Sequence, residues 1–410
     1  MERIERHLDP LVASIDATKV NSETPGENLH AKKPLSRRDF LKVSGILGGG
    51  TVLATACKPI QEILTSRESE ATLPIRFGFN THMSANPSEV ENLTPEVLRE
   101  DVNRMVENGM SILRLNVWEW ELDERSLEIY KEALGYAKGR GLEIHLVTNV
   151  PQLSPNGSDI EGDLEKTKVY YERMTTKFQG LVDVWQFFNE ADDHNTWNYG
   201  RIENNQVYPQ GYLENFGRLV SKANETVKRI DPNARTTVNV SIWNNPNGDQ
   251  WIDGSGNLTP RFEEVGLFDA ACGFEPGAPV ETICSTIDFI SLDIYFDTDY
   301  SAIEKLPELI RYFRERYEKP VVVSEVGIPT GGDGRFTPAD QARSISRIID
   351  VLQAGDVRPD AVLLYEMRDE YMRAETDPEG HFGFTDYQGN PKEGFNQVLE
   401  AIRQDEGLNR

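Results

Sequence analysis

The chain has 410 residues, 68 acidic and 43 basic, which leaves a formal net charge of -25 and a pI near 4.7. Nucleic-acid binding needs clustered Lys and Arg to displace counterions from phosphates, so this balance excludes a basic-patch binder. Mean hydropathy is -0.52 and no apolar run reaches the roughly 18 to 20 residues of a spanning helix, which excludes a polytopic membrane protein.

The first 35 residues are polar, mixed in charge and without sustained periodicity. Ser36-Arg37-Arg38-Asp39-Phe40-Leu41-Lys42 then opens an apolar, Gly-rich stretch from Val43 to Ala56. Two arginines, a Phe-Leu pair and a basic residue ahead of a short apolar segment resemble a bacterial twin-arginine export signal. That resemblance implies a protein exported by the twin-arginine route to the periplasm or cell surface. The alternative is an amphipathic helix, for which Gly48-Gly49-Gly50 is a poor interior. Leu53-Ala54-Thr55-Ala56-Cys57 has two readings. It resembles a lipoprotein cleavage box, which would make Cys57 the lipid-bearing first residue and that lipid the chain's only membrane contact. Ala54-Thr55-Ala56 also fits the small-x-small site of ordinary signal peptidase. The expected organisation is a signal region over 1–56, a flexible tether over 57–73 and one globular domain over 74–405.

From residue 74 the chain repeats a short β-rich run, a loop and a helix-period segment. Strands are expected at 75–80, 112–117, 143–148, 182–188, 236–242, 287–295, 320–325 and 361–366. Helices are expected at 95–107, 126–138, 164–178, 212–229, 302–316 and 338–352. Thr94-Pro95 and Thr337-Pro338 each place an N-cap residue before a proline at the first helical position, and Gly109 and Gly141 stand where helices close. Near-continuous apolar strands such as Val321-Val322-Val323 call for a parallel sheet buried on both faces. A doubly wound open sheet would carry a Gly-rich phosphate loop after its first strand, but Gly78-Phe79-Asn80-Thr81-His82-Met83 stands there instead. Eight alternating units therefore predict a single-domain α/β fold, the (β/α)8 TIM barrel.

Barrels of this kind place chemistry at the C-terminal ends of their strands. Two apolar runs there end in a glutamate: Trp185-Gln186-Phe187-Phe188-Asn189-Glu190 on the fourth strand and Val321-Val322-Val323-Ser324-Glu325-Val326-Gly327 on the seventh. These strands are three apart around an eight-membered ring, so the two carboxyl groups can face each other across the mouth. Such a pair suits a glycosidic bond, which needs a proton for its leaving oxygen and a nucleophile or activated water at the anomeric carbon.

Together with Arg114 in the second strand and Tyr295 ending the sixth, the Asn189-Glu190 pair and Glu325 resemble clan A of the glycoside hydrolases, the "4/7" retaining barrels. Tyr365-Glu366-Met367-Arg368-Asp369-Glu370, His381-Phe382-Gly383-Phe384 and Pro391-Lys392 extend the resemblance toward residue 405. The resemblance implies an O-glycosyl hydrolase with Glu190 as acid/base and Glu325 as nucleophile. It further implies that Asn189 bonds the sugar 2-hydroxyl, that Tyr295 and Arg114 hold Glu325 ionised, and that no cofactor is needed. Many clan members carry a Trp at the end of strand eight, where this chain offers Tyr365 and Met367.

Aromatics on the loops of the same face could stack on sugar C–H faces: Trp118 and Trp120, Trp197 and Tyr199, and Trp243. His82 ends the first strand within reach of a substrate, whereas His145 falls mid-strand and Trp185 inside strand four, both positions for packing. Glu119, Glu121, Asp123 and Glu124 read as a solvated acidic loop. Cys272 and Cys284 form a disulfide in an exported chain or are two buried thiols; neither has the spacing of a zinc site. The expected partner is an oligo- or polysaccharide, neutral because the chain is acidic. Two other readings are a carbohydrate-binding barrel without activity and a metal-dependent hydrolase. Intact carboxylates weigh against the first, and strand ends without clustered His and Asp against the second.

Overall fold

A computed structural model describes residues 74–83, 94–117, 121–151, 153–154, 158–190, 212–244, 268–269, 272, 286–296, 300–331, 336–370 and 377–405, all within the compact unit Gln61–Arg410. Nine strands make one sheet: β1 Arg76–Thr81, β2 Ile112–Val117, β3 Glu143–Thr148, β4 Val184–Phe187, β5 Arg235–Thr237, β6 Asn239–Asn244, β7 Ile290–Phe296, β8 Val321–Gly327 and β9 Ala361–Leu364. Every pairing is parallel, in the order β5-β4-β3-β2-β1-β9-β8-β7-β6. The two end strands, β5 and β6, are consecutive in the chain and separated only by Val238. They are the halves of the expected fifth strand, the first half bonded to β4 and the second to β7, so the ring closes through Val238. The architecture is the (β/α)8 barrel that the alternation predicts.

All residues of β2, β7 and β8 are buried, as strands must be when one face looks into a barrel and helices cover the other. The cover consists of α1 Pro95–Glu107, α2 Glu124–Gly139, α3 Ile160–Phe178, α4 Tyr212–Ile230, α5 Leu306–Tyr317, α6 Pro338–Ala354 and α7 Phe395–Asp405. Thr337 and Asp340 form a reciprocal capping box at the start of α6, whereas Thr94 makes no side-chain cap bond before α1. Gly109 and Gly141 have φ of 80° and 88°, the left-handed turn out of α1 and α2 that glycine adopts without strain.

Three local expectations are corrected. The helix expected over 302–316 is a 3-10 turn, Tyr300–Lys305, followed by α5. Pro307, at the start of α5, has no N–H to continue an α-helical ladder from the preceding turn. Helix α7 had no counterpart among the expected elements. The acidic loop is only partly solvated: Glu121 is fully buried and accepts from the Tyr130 hydroxyl at 2.6 Å, and Asp123 caps α2 by accepting from the Arg125 and Ser126 amides. Glu124 is exposed, and Glu119 lies outside the described residues.

His145 and Trp185 are packing residues, as expected. Trp185 is buried against Tyr171 with ring centroids 6.4 Å apart. His145 Nε2 lies 2.6 Å from Glu143, which also pairs with Arg76 at 2.7 Å and Arg235 at 2.6 Å. This cluster sits at the N-terminal ends of the strands, the stability face of such barrels. Burial pushes the Glu143 carboxyl up, but the hydrogen bond to His145 and the charges of Arg76 and Arg235 outweigh it and hold the group well below the ordinary value. A carboxylate with a depressed folded value adds stability above its unfolded pKa of about 4.3, and that stability is lost as the pH falls further. Glu143→Gln is therefore expected to flatten the decline of urea stability between pH 5 and 3 (about one unit either side of that unfolded value). An acid dependence identical to that of the parent protein would contradict this role.

Candidate active site

At the opposite ends of the strands, inward-pointing polar side chains converge on Arg114. Its guanidinium is fully buried, its Nε donates to Gln186 Oε1 at 2.9 Å and its Nη2 to Asn189 Oδ1 at 2.9 Å. Its Nη1 donates to both Asn80 and Glu325. The other carboxylate oxygen of Glu325 accepts from the Tyr295 hydroxyl. Glu325 is 3% exposed, so its carboxyl is met by one guanidinium and one phenol instead of by water. Burial works against the charge of Arg114, but its acidic surroundings, Glu325 foremost, more than offset it and leave its pKa raised. The Tyr295 phenol is pushed far up by burial and then by Glu325 and Glu190, so it stays protonated and donates.

The neighbouring pairings show how β8 presents Glu325. On the β7 side Leu292 pairs with Val323 and Asp293 with Glu325, so Ser324 is passed over. On the β9 side the register likewise shifts between Val323 and Val326. This irregularity breaks the alternation of faces, and both Ser324 and Glu325 reach the same cluster: Ser324 Oγ lies 2.5 Å from Asp293 Oδ1, and Asp293 Oδ2 lies 3.9 Å from Arg114.

Strand β4 delivers Glu190 through an unusual turn. Phe188 and Glu190 have φ of 59° and 43°, a left-handed conformation that costs a non-glycine residue about 1–2 kcal/mol. Three hydrogen bonds hold it: Phe188 N to Thr148 O at 3.0 Å, Asn189 N to Asn149 Oδ1 at 2.9 Å and Glu190 N to Asn239 Oδ1 at 2.9 Å. One carboxylate oxygen each of Glu190, Asp293 and Glu325 then lie within 4.8 Å of one another. Glu190 is half-buried, open enough to meet a ligand.

The structure thus brings together Glu190, Asn189, Tyr295, Arg114 and Glu325. Tyr365, not Met367, faces this group: Tyr365 forms a ring cluster with Tyr295 and Phe382, with centroids 5.3 to 6.2 Å apart, while Met367 is fully buried in the main core. His82 stands at the adjoining edge, with Nε2 3.3 Å from Glu366 and its ring edge-on to Tyr365 at 6.0 Å. His82, Glu366 and Glu370 offer ligand atoms within 4.8 Å of one another, residue types that suit a divalent cation. Trp243 pairs in register with Tyr295, but its side chain lies outside the described residues, as do Trp118, Trp120, Trp197, Tyr199, Cys57 and Cys284. Cys272 is buried, which pushes its thiol up to about 12.

Sequence reasoning missed Asn80, Gln186, Asn239, Asp293 and Ser324. Part of the signal was present: Asn80 and Gln186 are polar residues toward the C-terminal ends of otherwise apolar strands, and Ser324 directly precedes Glu325, whereas Asn239 opens β6 and Asp293 lies in the middle of β7.

No family model and no curated protein matches the chain. Solved structures do. GH5_18 from Streptomyces cattleya in complex with GlcNAc has a TM-score of 0.60 at 13% identity, over 82% of this chain and 81% of that one. A variant of it is in complex with Manb1-4GlcNAc. The virulence factor SghA from Agrobacterium tumefaciens has a TM-score of 0.60 at 12% identity, over 82% and 99% of the two chains. The exo-beta-1,4-mannosidase Op5Man5 from Opitutaceae bacterium strain TAV5 has a TM-score of 0.58 at 14% identity, over 83% and 62%. At these identities the likeness is one of fold.

Proposed function

We propose that this protein is a retaining glycoside hydrolase that cleaves a β-glycosidic bond, with Glu190 as acid/base and Glu325 as nucleophile. The observation that carries the reading is the approach of these two carboxyl groups, within 4.8 Å at their nearest oxygens, from the ends of β4 and β8. Retaining pairs stand about 5 to 5.5 Å apart, whereas inverting pairs need about 6.5 to 9.5 Å to admit a water.

In the first step Glu190 gives its proton to the glycosidic oxygen while Glu325 attacks the anomeric carbon, so that the C–O bond breaks and a glycosyl ester forms. In the second, Glu190 takes a proton from water, which attacks the same carbon and releases Glu325 as carboxylate. Arg114 and Tyr295 pair with the Glu325 carboxyl and aim it before attack, and receive its charge again afterwards. Asn189 Oδ1 already accepts from Arg114, Gln186 and Asn239, which fixes the amide and leaves Nδ2 as the end for a sugar hydroxyl. The sugars bound by the Streptomyces cattleya protein support a β-linked oligosaccharide as the substrate class, and the charge of -25 supports a neutral one. Export by the twin-arginine route, with a lipid anchor at Cys57, completes the reading.

Proton NMR of a freshly mixed reaction tests it. A panel of aryl β-glycosides should include one that is hydrolysed, with the β-anomer of the free sugar appearing first. An α-anomer appearing first would reject retention. Binding without hydrolysis of any member would favour the inactive carbohydrate-binding barrel.

A further inference from the structure

We propose that Asp293 is a third carboxyl of the site, held in its neutral form, and that it acts as a positioning residue that reserves the charge of Arg114 for Glu325. The inference rests on the glycosidase reading only where activity is measured.

The titratable and charged groups that face Asp293 are Arg114 on β2, Glu190 beyond β4, the neutral Tyr295 on β7 and Glu325 on β8. Its direct partners are the neutral Asn239 on β6 and Ser324 on β8. One guanidinium therefore serves carboxyl groups packed within 4.8 Å of each other, where like charges do not ionise together. The donors of that guanidinium go to Glu325, Asn80, Gln186 and Asn189, and its approach to Asp293 stops at 3.9 Å, beyond hydrogen-bond range. Asp293 Oδ1, by contrast, lies 2.5 Å from Ser324 Oγ, and a hydroxyl can receive the proton of a neutral acid as readily as it can donate to a carboxylate. Burial first, and then the charge of Glu325, push the Asp293 carboxyl well above its ordinary value against the pull of Arg114 and of the hydrogen bonds to Ser324 and Asn239.

Asp293 also fixes Asn239. By accepting from Asn239 Nδ2, which also donates to Asn189 Oδ1 at 3.2 Å, it helps to fix the orientation of that amide, so Oδ1 is left to accept from the Glu190 backbone N–H at 2.9 Å. The same carboxyl holds Ser324, the residue next to Glu325 at the irregularity in β8. Both proposed reacting groups are thereby set from one buried acid that does not itself compete for the cation.

Infrared spectroscopy of the full chain with 13C-labelled aspartate reads the protonation state directly. At pH 7 a protonated-carboxyl band should be present and should disappear in Asp293→Asn. In Glu325→Gln, which removes the neighbouring charge, the same band should titrate at least about one pH unit lower, a tenfold change in proton affinity. Spectra in which Asp293→Asn changes nothing, or a midpoint unmoved by Glu325→Gln, would overturn the proposal. Glu325→Gln leaves Asp293 in place and carries the test even if Asp293→Asn fails to fold. Since Asn resembles the neutral acid, both limbs of the activity–pH profile should stay in place in Asp293→Asn; a downward move of both by a unit or more would show that a negative charge had been removed. A protein without glycosidase activity would reject the functional reading and leave the infrared result intact.

Discussion

Glu325→Gln is expected to lose on the order of 10⁵-fold in kcat, the scale on which an enzyme fails when its covalent nucleophile is removed. The amide has the size of the carboxylate but no electron pair basic enough to form the glycosyl ester. Its carbonyl can still accept from Arg114, and the Tyr295 hydroxyl can turn to accept from the new NH₂, so folding should survive. Turnover of the most reactive aryl glycoside and the melting temperature together check this. Retention of a tenth of the activity would take the nucleophile's role from Glu325. Glu325→Gly supplies the stereochemical control: azide entering the vacated space attacks from the nucleophile's face and should yield the α-glycosyl azide.

Arg114→Met is expected to cost about 3–5 kcal/mol of folding stability, because it strips the cation from a fully buried cluster and leaves a carboxylate unpaired. Three neutral acceptors, on Asn80, Gln186 and Asn189, lose donors in the same step. Urea denaturation measures the loss, and a change under about 1 kcal/mol, the worth of an exposed pair, would contradict a central role. Arg114→Lys should recover only part of it, since one ammonium cannot reach around to four acceptors as the planar fork does. Under the proposed function the two substitutions would separate the chemistry from its support: removing Glu325 should stop turnover in a folded protein, while removing Arg114 should weaken the barrel that holds the site.

How far this arrangement could be read in advance depends on the range of the forces involved. Strands β2 and β3 and helix α1 begin and end at the predicted residues because their signals are local: apolar runs bounded by Gly109 and Gly141, and a proline at the first turn. Glu190 and Glu325 stood out as polar ends of apolar strands, whereas Arg114 and Tyr295 were singled out only by the resemblance to a known barrel family. What escaped notice is carried by partners far apart in the chain. Asn239 has meaning only beside Asn189 and Asp293, 50 and 54 residues away, and neither span leaves a mark on the intervening sequence. Glu121 looked solvated among its acidic neighbours because its partner, the Tyr130 hydroxyl, is recruited by the packing of α2. Nor could the left-handed turn be foreseen, since neither Phe188 nor Glu190 is a residue that favours it.

That turn sets stability against use. Glycine at position 190 would accept the φ of 43° without penalty and, on a half-buried surface, give up little packing. A library selected for thermal tolerance alone should therefore drift toward glycine there and discard the side chain on which the proposed chemistry depends. A glutamate at a position whose backbone suits glycine better is what selection for activity, acting against selection for the fold, would produce.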